Sequence, residues 1–474
     1  MSGRHDAGET EGPLSPADEI RPVRRILVFA IVVLALLMSS VDSTIVATAL
    51  NSLQHGLKTS VNWAGWTMTA YSLGFVLMLP ISGKLSERYG RRKVFLGSVV
   101  AFTGASLCCG LADNIYVLIA LRALQAAGGA GFTPSATGIV VEHFGDARDR
   151  AVSLFGSIFS IGAMIGPIFG GLFVSYWSWR GVFFVNVPIG IAVVLLALRY
   201  IPLDRTRAVG SRTRMDVTGI ALLGSGVLAG MLAASYLGES SAHIISLPFT
   251  ASSAIAVVAL WTFFRHINRS GHPFIAPRLI YGTGFGAVNL LNVVYGGATA
   301  GVVALVPLYA ADRYGINALD AATLLVAQGA AAIILSIAAA FALRRTGHRP
   351  PLYVGGVVIA IGTLLLAVIP PAGVPPYAWL AASVFLVGAG SGAINPASRN
   401  AGLQLAPEQS STLAALRSMC RQIGLITTVS ITTAMLASAD DPGRIQAWVY
   451  AIAALLLVAA LPLVSRVPEH HGSW

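Results

Sequence analysis

Apolar runs of about 20 residues recur along this chain from residue 26 to residue 465. A bilayer core about 30 Å thick is crossed by roughly 20 apolar helical residues, so each run is long enough to span a membrane. Charged residues make up only 11% of the 474 residues, whereas a soluble domain carries roughly 25%. The composition therefore indicates a polytopic membrane protein and argues against a cytosolic enzyme, a nucleic-acid binder or a secreted disulfide scaffold.

Fourteen segments are predicted to span the membrane as helices, because lipid offers no partner for an unpaired backbone amide and no alternating barrel pattern occurs. They are residues 26–50, 64–83, 94–112, 115–140, 151–175, 181–201, 217–238, 244–264, 282–310, 318–343, 351–370, 377–398, 411–437 and 445–465. Residues 1–25, whose first 20 residues hold five acids together with glycine, serine and proline, are predicted to form a disordered cytoplasmic tail. Residues 466–474 are predicted to form a second, shorter tail.

The basic residues in the connections predict the orientation, because cytoplasmic loops carry an excess of lysine and arginine. With the N-terminus inside, 22 such residues lie in inward connections and four lie in outward ones: Lys58, Arg180, Arg313 and Arg444. Both termini are therefore expected in the cytoplasm, in a multi-pass protein of the cell membrane. The short loops hold no phosphate-binding loop, so the energy source is expected to be an ion gradient, the substrate's own gradient, or none.

Asp42 is the only carboxylate well inside a predicted span, within the polar stretch 39–44. An isolated carboxyl group in a low-dielectric environment favours its protonated form, which suits a proton carrier. The alternative is an acid that an arginine neutralises permanently. Arg122, about two turns into the fourth span, is the second proton-coupling candidate, because a buried guanidinium needs an anion or carbonyl groups nearby.

Six polar side chains inside spans are candidates for a substrate cavity, although each could instead join helices by hydrogen bonds. They are Tyr71, Gln125, Asn289, Asn292, Gln328 and Asn395. The inward loop 83–93 is predicted to form a tight turn with an internal ion pair that latches the cytoplasmic side; the alternative is a solvated loop that only sets the topology. The latch candidates are Gly83, Glu87, Arg88, Gly90, Arg91 and Arg92.

The fifth span contains a run of glycines around a proline. Pro167 removes a backbone donor and is expected to kink the helix, while the glycines offer a smooth face to a neighbouring helix. The residues are Gly162, Gly166, Pro167, Gly170 and Gly171. From the residues alone, this segment is a bending or packing element.

Taken together, these segments resemble the fourteen-span drug–proton antiporter branch of the major facilitator superfamily. Residues 83–93 resemble the superfamily's glycine–aspartate–arginine loop motif, with Glu87 where aspartate is usual. Residues 122–130 resemble the fourth-span arginine motif, and residues 162–171 resemble the fifth-span antiporter motif. Further similar segments are the first-span signature at 41–46, residues 179–190, and the seventh-span signature at 216–222.

The resemblance implies an all-α major facilitator fold with two six-helix bundles, residues 26–201 and 282–465, and two inserted helices within residues 202–281. The bundles of such transporters rock about a site near the membrane midplane. It also implies proton-driven export of hydrophobic or amphiphilic small molecules (drugs, toxins or secondary metabolites) without a cofactor. We expect the protein to be a monomer. Arg417 departs from the branch, which usually has a neutral polar residue there, and leaves room for neutral or anionic substrates.

Two other functions remain open from the sequence. A facilitator or importer with the same fold would move a small metabolite, and a transporter-derived receptor or scaffold would move nothing. The short loops and tails argue against a receptor. A membrane enzyme is disfavoured, because no paired acids, metal cluster or nucleophile–base set lies inside the spans. We expect the bilayer, protons and a small hydrophobic molecule as partners, with no metal ion and no nucleic acid.

Overall fold

The structure is a computed structural model of the chain, and it describes residues 22–59, 61–204, 216–237, 246–437 and 440–469. Helices account for almost all of these ranges. In the first part they are α1 (Pro22–Gly56), α2 (Val61–Tyr89), α3 (Arg91–Leu111), α4 (Ile115–Gly129), α5 (Phe132–His143), α6 (Arg148–Tyr176), α7 (Gly181–Phe184) and α8 (Asn186–Tyr200). Two further long helices follow, α9 (Val217–Leu237) and α10 (Leu247–Arg269).

The remaining helices begin with the short α11 (Pro277–Tyr281) and end near the C-terminus. They are α12 (Phe285–Tyr295), α13 (Val302–Ala304), α14 (Val306–Tyr314), α15 (Ala318–Thr346), α16 (Arg349–Ala367), α17 (Pro376–Asn400), α18 (Ser410–Ala437) and α19 (Pro442–Ala460). Residues Gly296–Gly301, between α12 and α13, form a π-helical segment. Residues 1–25 and 466–474, predicted as tails, lie largely outside the described ranges.

Within the described ranges, thirteen helical segments are long and apolar enough to cross a membrane, judged by length and composition. They coincide with thirteen of the fourteen predicted spans and confirm the all-α polytopic fold. The other prediction, residues 411–437, corresponds to the 28-residue helix α18. Arg417, Arg421 and a series of hydroxyl side chains make α18 more polar than the other spans.

Three predicted spans are not single α-helices. The sixth is divided at Val185 into α7 and α8. The fourth is divided into α4 and α5, with Ala130 and Gly131 at the joint. The ninth contains the π-helical segment, which packs closely on α18: a Cβ atom at Gly296 would lie 2.1 Å from the carbonyl oxygen of Arg421. Glycine at this position therefore permits contact between the two backbones.

The helices pack around several apolar cores. Phe102, Phe132 and Phe155 are fully buried among α1–α8, and a separate core that includes Ile359 and Leu457 lies among α12–α19. Of the inserted helices, α9 packs against α2 and α18 through a third core, and α10 packs on α9. Helix α9 therefore lies along the seam at which α2 meets α18.

The hydrogen bonds recorded between α1–α8 and α12–α19 in the described ranges all lie at one end of the molecule. They join Glu87 to Thr412, Ser86 to Ser411, and Asn400 to both Ser153 and Asp149. This end carries the predicted inward loops, so the structure is closed on the predicted cytoplasmic side.

Asp216 ties the start of α9 to α10 and to the chain that follows it. Its Oδ1 accepts a hydrogen bond from the Gly219 N–H at 2.8 Å and lies 2.8 Å from His266 Nε2. Its Oδ2 accepts from the Phe274 N–H at 3.0 Å. Burial acts to raise the pKa of Asp216, but the hydrogen bonds and His266 outweigh burial and lower this pKa below its ordinary value.

We expect Asp216→Asn to destabilise the protein by about 1–2 kcal/mol near neutral pH, because the amide loses the charge that these donors stabilise. A carboxylate with a lowered pKa stabilises the fold above its unfolded-state pKa of about 3.9, and this stabilisation is lost as pH falls through the folded-state pKa. The difference in unfolding temperature between variant and wild type should therefore shrink below about pH 4. Glu408→Gln, at an exposed carboxylate, is the control, and equal stability of Asp216→Asn and wild type at neutral pH would contradict the prediction.

Candidate functional site

Asp42 on α1 and Arg122 on α4 form a fully buried ion pair. The Asp42 Oδ2 and Arg122 Nη1 atoms are 2.8 Å apart, and the two side chains are 0% and 1% exposed. The Arg122 guanidinium also lies over the ring of Tyr71, 4.2 Å from its centroid. The structure thus brings the two proton-coupling candidates together with one cavity candidate.

Neutral amides complete the surroundings of the Asp42 carboxylate. The side-chain amides of Gln125 and Asn186 each donate to Asp42 Oδ1 at 2.8 Å. Both amides also donate to Ser106 Oγ at 3.0 Å, and Gln125 Oε1 accepts from Arg122 Nη1 at 2.7 Å. Three N–H donors therefore face the Asp42 carboxylate. They replace the hydrogen bonds that water would make to this charge if it were exposed.

Asn186 and Ser106 are part of this network but are missing from the residues predicted from the sequence. Asn186 lies in the segment 179–190, where it is a polar residue inside an apolar run, so a signal was present. Ser106 on α3 carries no such signal, because serine is common in membrane helices, where it hydrogen-bonds to neighbouring groups. Here it donates to the Phe183 carbonyl oxygen at 2.9 Å.

The other face of α1 packs against the glycine face of α6. Hydroxyl residues on α1 and glycines on α6 both repeat at every fourth position, so they meet in pairs along the two helices. A Cβ atom at Gly162, Gly166 or Gly170 would lie 2.3, 1.9 or 1.9 Å from the hydroxyl oxygen of Ser40, Thr44 or Thr48, respectively. Gly171 faces open space, and α6 is continuous through Pro167. Three of the four glycines therefore permit a close helix contact.

The predicted loop 83–93 contains a tight turn at Gly90, and its other residues extend α2 and begin α3. Gly90 alone separates α2 from α3 and has a φ of 103°, a conformation that favours glycine. A Cβ atom there would also collide with the Asp204 carboxylate. Asp204 accepts from the Arg92 N–H at 2.8 Å and so holds the start of α3.

The acid of this loop connects the two halves of the chain. Glu87 Oε1 accepts a hydrogen bond from the Thr412 N–H at 2.9 Å, in the first turn of α18, where a negative charge is favourable. Gly83 packs against the same end of α18. A Cβ atom on Gly83 would lie 2.9 Å from the Cβ of Ala415. The sequence predicted an ion pair inside the loop, whereas the bond recorded for the Glu87 carboxylate goes to the opposite half.

The loop's arginines hold the surrounding helices. Arg91 pairs with Glu142 at 3.1 Å and donates to the Gly138 carbonyl oxygen. Arg92 donates to the Leu198 carbonyl oxygen at 2.6 Å. Arg88 lies over the ring of the adjacent Tyr89.

The four remaining cavity candidates divide into two kinds. Asn292 and Asn395 accept hydrogen bonds within a group of polar residues between α12, α17 and α18. Asn289 donates to the carbonyl oxygens of Leu279 and Ile280 and so ties α12 to α11. Gln328 is half-buried on α15. The structure therefore places Asn289 and Gln328 outside both polar groups.

No group of three or more His, Cys, Asp or Glu side chains within the described ranges is arranged to hold a metal ion. Residues 32–429 match the family model described as "Major Facilitator Superfamily". The chain belongs to this superfamily. Together with its spans and its bacterial relatives, this membership shows a multi-pass transporter of the cell membrane.

Several relatives are named for drug resistance. The chain is 29% identical over 344 residues to the multidrug transporter protein MdtP of Bacillus subtilis, and the match covers 72% of this chain and 63% of that protein. It is 29% identical over 435 residues to a multidrug resistance protein B homolog of Mycobacterium tuberculosis, covering 88% and 79%. It is 28% identical over 412 residues to the methylenomycin A resistance protein of Streptomyces coelicolor, covering 85% and 84%.

Two solved structures share the fold. The human organic anion transporter MFSD10 (TETRAN) aligns with a TM-score of 0.69 at 15% identity, over 94% of this chain and 100% of that chain. The proton:xylose symporter XylE aligns with a TM-score of 0.66 at 14% identity, over 96% and 98%. At such low identity the likeness shows the fold alone.

We expect Arg122→Gln to destabilise the protein by about 3–5 kcal/mol, because Asp42 would remain buried without its counter-charge. The double variant Asp42→Asn/Arg122→Gln should regain most of this loss, since neither buried charge remains. Thermal unfolding of the purified proteins in detergent measures both effects. A double variant no more stable than Arg122→Gln would show that the pair is not the reason for the loss.

The contact between α1 and α6 provides a matched pair of glycine variants. Gly166→Ala should cost about 1–3 kcal/mol, because the added methyl group must push Thr44 and the helix backbone aside. Gly171→Ala, five residues further along the same helix, adds its methyl group into open space. It should leave the unfolding temperature unchanged or raise it slightly, because alanine favours a helix more than glycine does. Equal losses for the two variants would rule out the close contact.

Proposed function

We propose that this transporter exports hydrophobic or amphiphilic small molecules (drugs, toxins or secondary metabolites) in exchange for protons, with Asp42 as the proton carrier. The observation that supports this most directly is the buried network in which one carboxylate faces Arg122 and two amides. The relatives named for multidrug and methylenomycin A resistance support the direction and the substrate class.

Arg122 has a second set of contacts that does not depend on the charge of Asp42. Its Nη1 donates to Gln125 Oε1, and its guanidinium lies 4.2 Å and 5.6 Å from the ring centroids of Tyr71 and Phe183. Aromatic faces attract cations, and more strongly when water is excluded. Proton uptake by Asp42 therefore breaks the ion pair without leaving the guanidinium unsupported. These contacts favour a switchable pair over a permanently neutralised acid.

A mechanical connection leads from Asp42 to the surface between the two halves. Asp42 lies on α1, which the glycine contact fixes to α6. Helix α6 also faces α15 and α17, where Gly156 approaches Asn395 and Ser336. Loss of the Asp42 charge loosens α1 from α4 and α8, and α6 moves with α1. Protonation from outside and substrate loading from the cytoplasm then favour opposite orientations of the two bundles.

The energies are sufficient for coupled export. One charge that moves across the membrane yields about 2.3 kcal/mol per 100 mV, and a pH difference of one unit yields about 1.4 kcal/mol. A tenfold substrate gradient costs about 1.4 kcal/mol. Either term alone therefore lets one proton per cycle support a gradient of roughly one to two decades.

The test is uptake of a lipophilic fluorescent drug into inside-out membrane vesicles with an imposed pH gradient. Wild-type vesicles should accumulate the drug and lose it when an uncoupler is added. Asp42→Asn should reduce uptake to the rate seen without a gradient, because the amide cannot exchange a proton. Asp312→Asn, at an exposed carboxylate on α14, is the control and should transport normally.

Gradient-driven uptake by Asp42→Asn at the wild-type rate would exclude Asp42 as the coupling acid. If wild-type vesicles instead release preloaded drug under the same gradient, the protein is an importer.

A further inference from the structure

Three arginines form a group in the second half of the chain, and no acidic residue of the described ranges pairs with them. Arg399 lies at the end of α17, and Arg417 and Arg421 lie one turn apart on α18. Arg417 is 7% exposed, and the positive charges of Arg399 and Arg421 are close enough to repel its own. Among the described residues, none of the three forms a salt bridge.

The contacts of this arginine cluster (Arg399, Arg417, Arg421) are with neutral groups. Arg417 Nε donates to Ser398 Oγ at 3.1 Å, and Arg421 Nη1 donates to Asn395 Oδ1 at 2.6 Å. Arg417 Nη2 and Arg399 Nε are buried, and neither has a hydrogen-bond partner in the described part of the chain. The cluster therefore has unused donors as well as uncompensated charge.

The arginine cluster lies between the two halves. The Arg399 guanidinium is 5.3 Å from the ring centroid of Phe159 on α6. The carbonyl oxygen of Phe159 accepts a hydrogen bond from Ser40, two residues before Asp42. A ligand bound to the arginines would therefore contact the same α1–α6 unit that carries the proton-coupling acid.

Arg417 is buried, and Arg399 and Arg421 are half-buried. Like charges at such sites are strongly unfavourable without a counter-ion, so this group implies an anionic partner. The planar guanidinium fork matches the two oxygens of a carboxylate. We propose that the arginine cluster binds the carboxylate of an amphiphilic organic anion, and that this anion is a substrate of the export function proposed above. Phe159 contacts the apolar part of the molecule next to its charged end.

The test compares a fluorescent amphiphilic acid, dansylated undecanoic acid, with its uncharged methyl ester. Binding is measured on purified full-length protein in phosphatidylcholine nanodiscs, with empty nanodiscs subtracted. The acid should bind at least about tenfold more tightly than the ester, as expected for charge-assisted hydrogen bonds. Arg417→Gln should abolish this preference, and Arg345→Gln, at an exposed arginine, should retain it.

Equal binding of acid and ester, or an unchanged preference in Arg417→Gln, would overturn the proposal. Displacement of the acid by inorganic phosphate would assign the site to small inorganic anions instead. Displacement by phosphatidylglycerol in the nanodisc would assign it to a lipid headgroup. Either displacement would overturn the assignment to an organic substrate.

Thermal unfolding distinguishes the loss of the anion site in Arg417→Gln from misfolding of this variant. Without ligand, Arg417→Gln should unfold at a higher temperature than wild type, because it removes one of three neighbouring positive charges. The acid should raise the unfolding temperature of wild type but not that of the variant. A variant less stable than wild type without ligand would show that Arg417 is already satisfied within the fold, and the proposal would fail.

Failure of this inference and failure of the proposed function give different results. If the pH gradient drives uptake of an uncharged dye but Arg417→Gln retains the preference for the acid, only the anion site is refuted. If the acid binds through Arg417 but no gradient drives its uptake, the site stands and the transport proposal fails.

Discussion

The ion pair between Asp42 and Arg122 determines how the first eight helices fit together. Either charge alone would cost several kcal/mol inside a membrane-spanning bundle, so the carboxylate must draw its donors from the helices around it. It takes them from α4 and α8, and Ser106 on α3 supports both amides. Because α1 also packs on the glycines of α6, a single acid stands at a junction of five helices.

The second half has the opposite electrostatic character. Asp42 has a counter-charge and two amide donors, whereas the arginine cluster has only neutral acceptors in the described residues. Replacing unpaired charges inside a protein by apolar or neutral residues usually increases its stability, so selection for stability alone would remove them. Under the proposals made here, the first half keeps its own counter-ion for proton exchange, and the second half leaves its positive charge for the transported molecule.

The sequence predicted the spans well, because a bilayer demands long apolar helices and the runs are unambiguous. It also identified Asp42, Arg122 and Gln125, because charged and amide side chains are costly in a span. It did not identify Asn186 or Ser106, since a small polar residue can serve packing or function equally well. Arg399 follows the predicted span 377–398, whereas the structure includes it in α17, facing Phe159. The division of the fourth span and the π-helical segment depend on packing between helices that no local pattern records.

The contact that closes the predicted cytoplasmic side lies on the same helix as two of the clustered arginines. Thr412, whose backbone N–H donates to the Glu87 carboxylate, is five residues before Arg417 on α18. Helices α17 and α18 belong to the same half of the chain, so a movement that separates α2 from α18 carries the whole arginine cluster away from Phe159 on α6. Under the proposals made here, an anion bound to the cluster and to Phe159 links the same two halves that the bond between Glu87 and Thr412 joins. In that case the charge of the substrate and the position of the latch are coupled at a single interface between the halves.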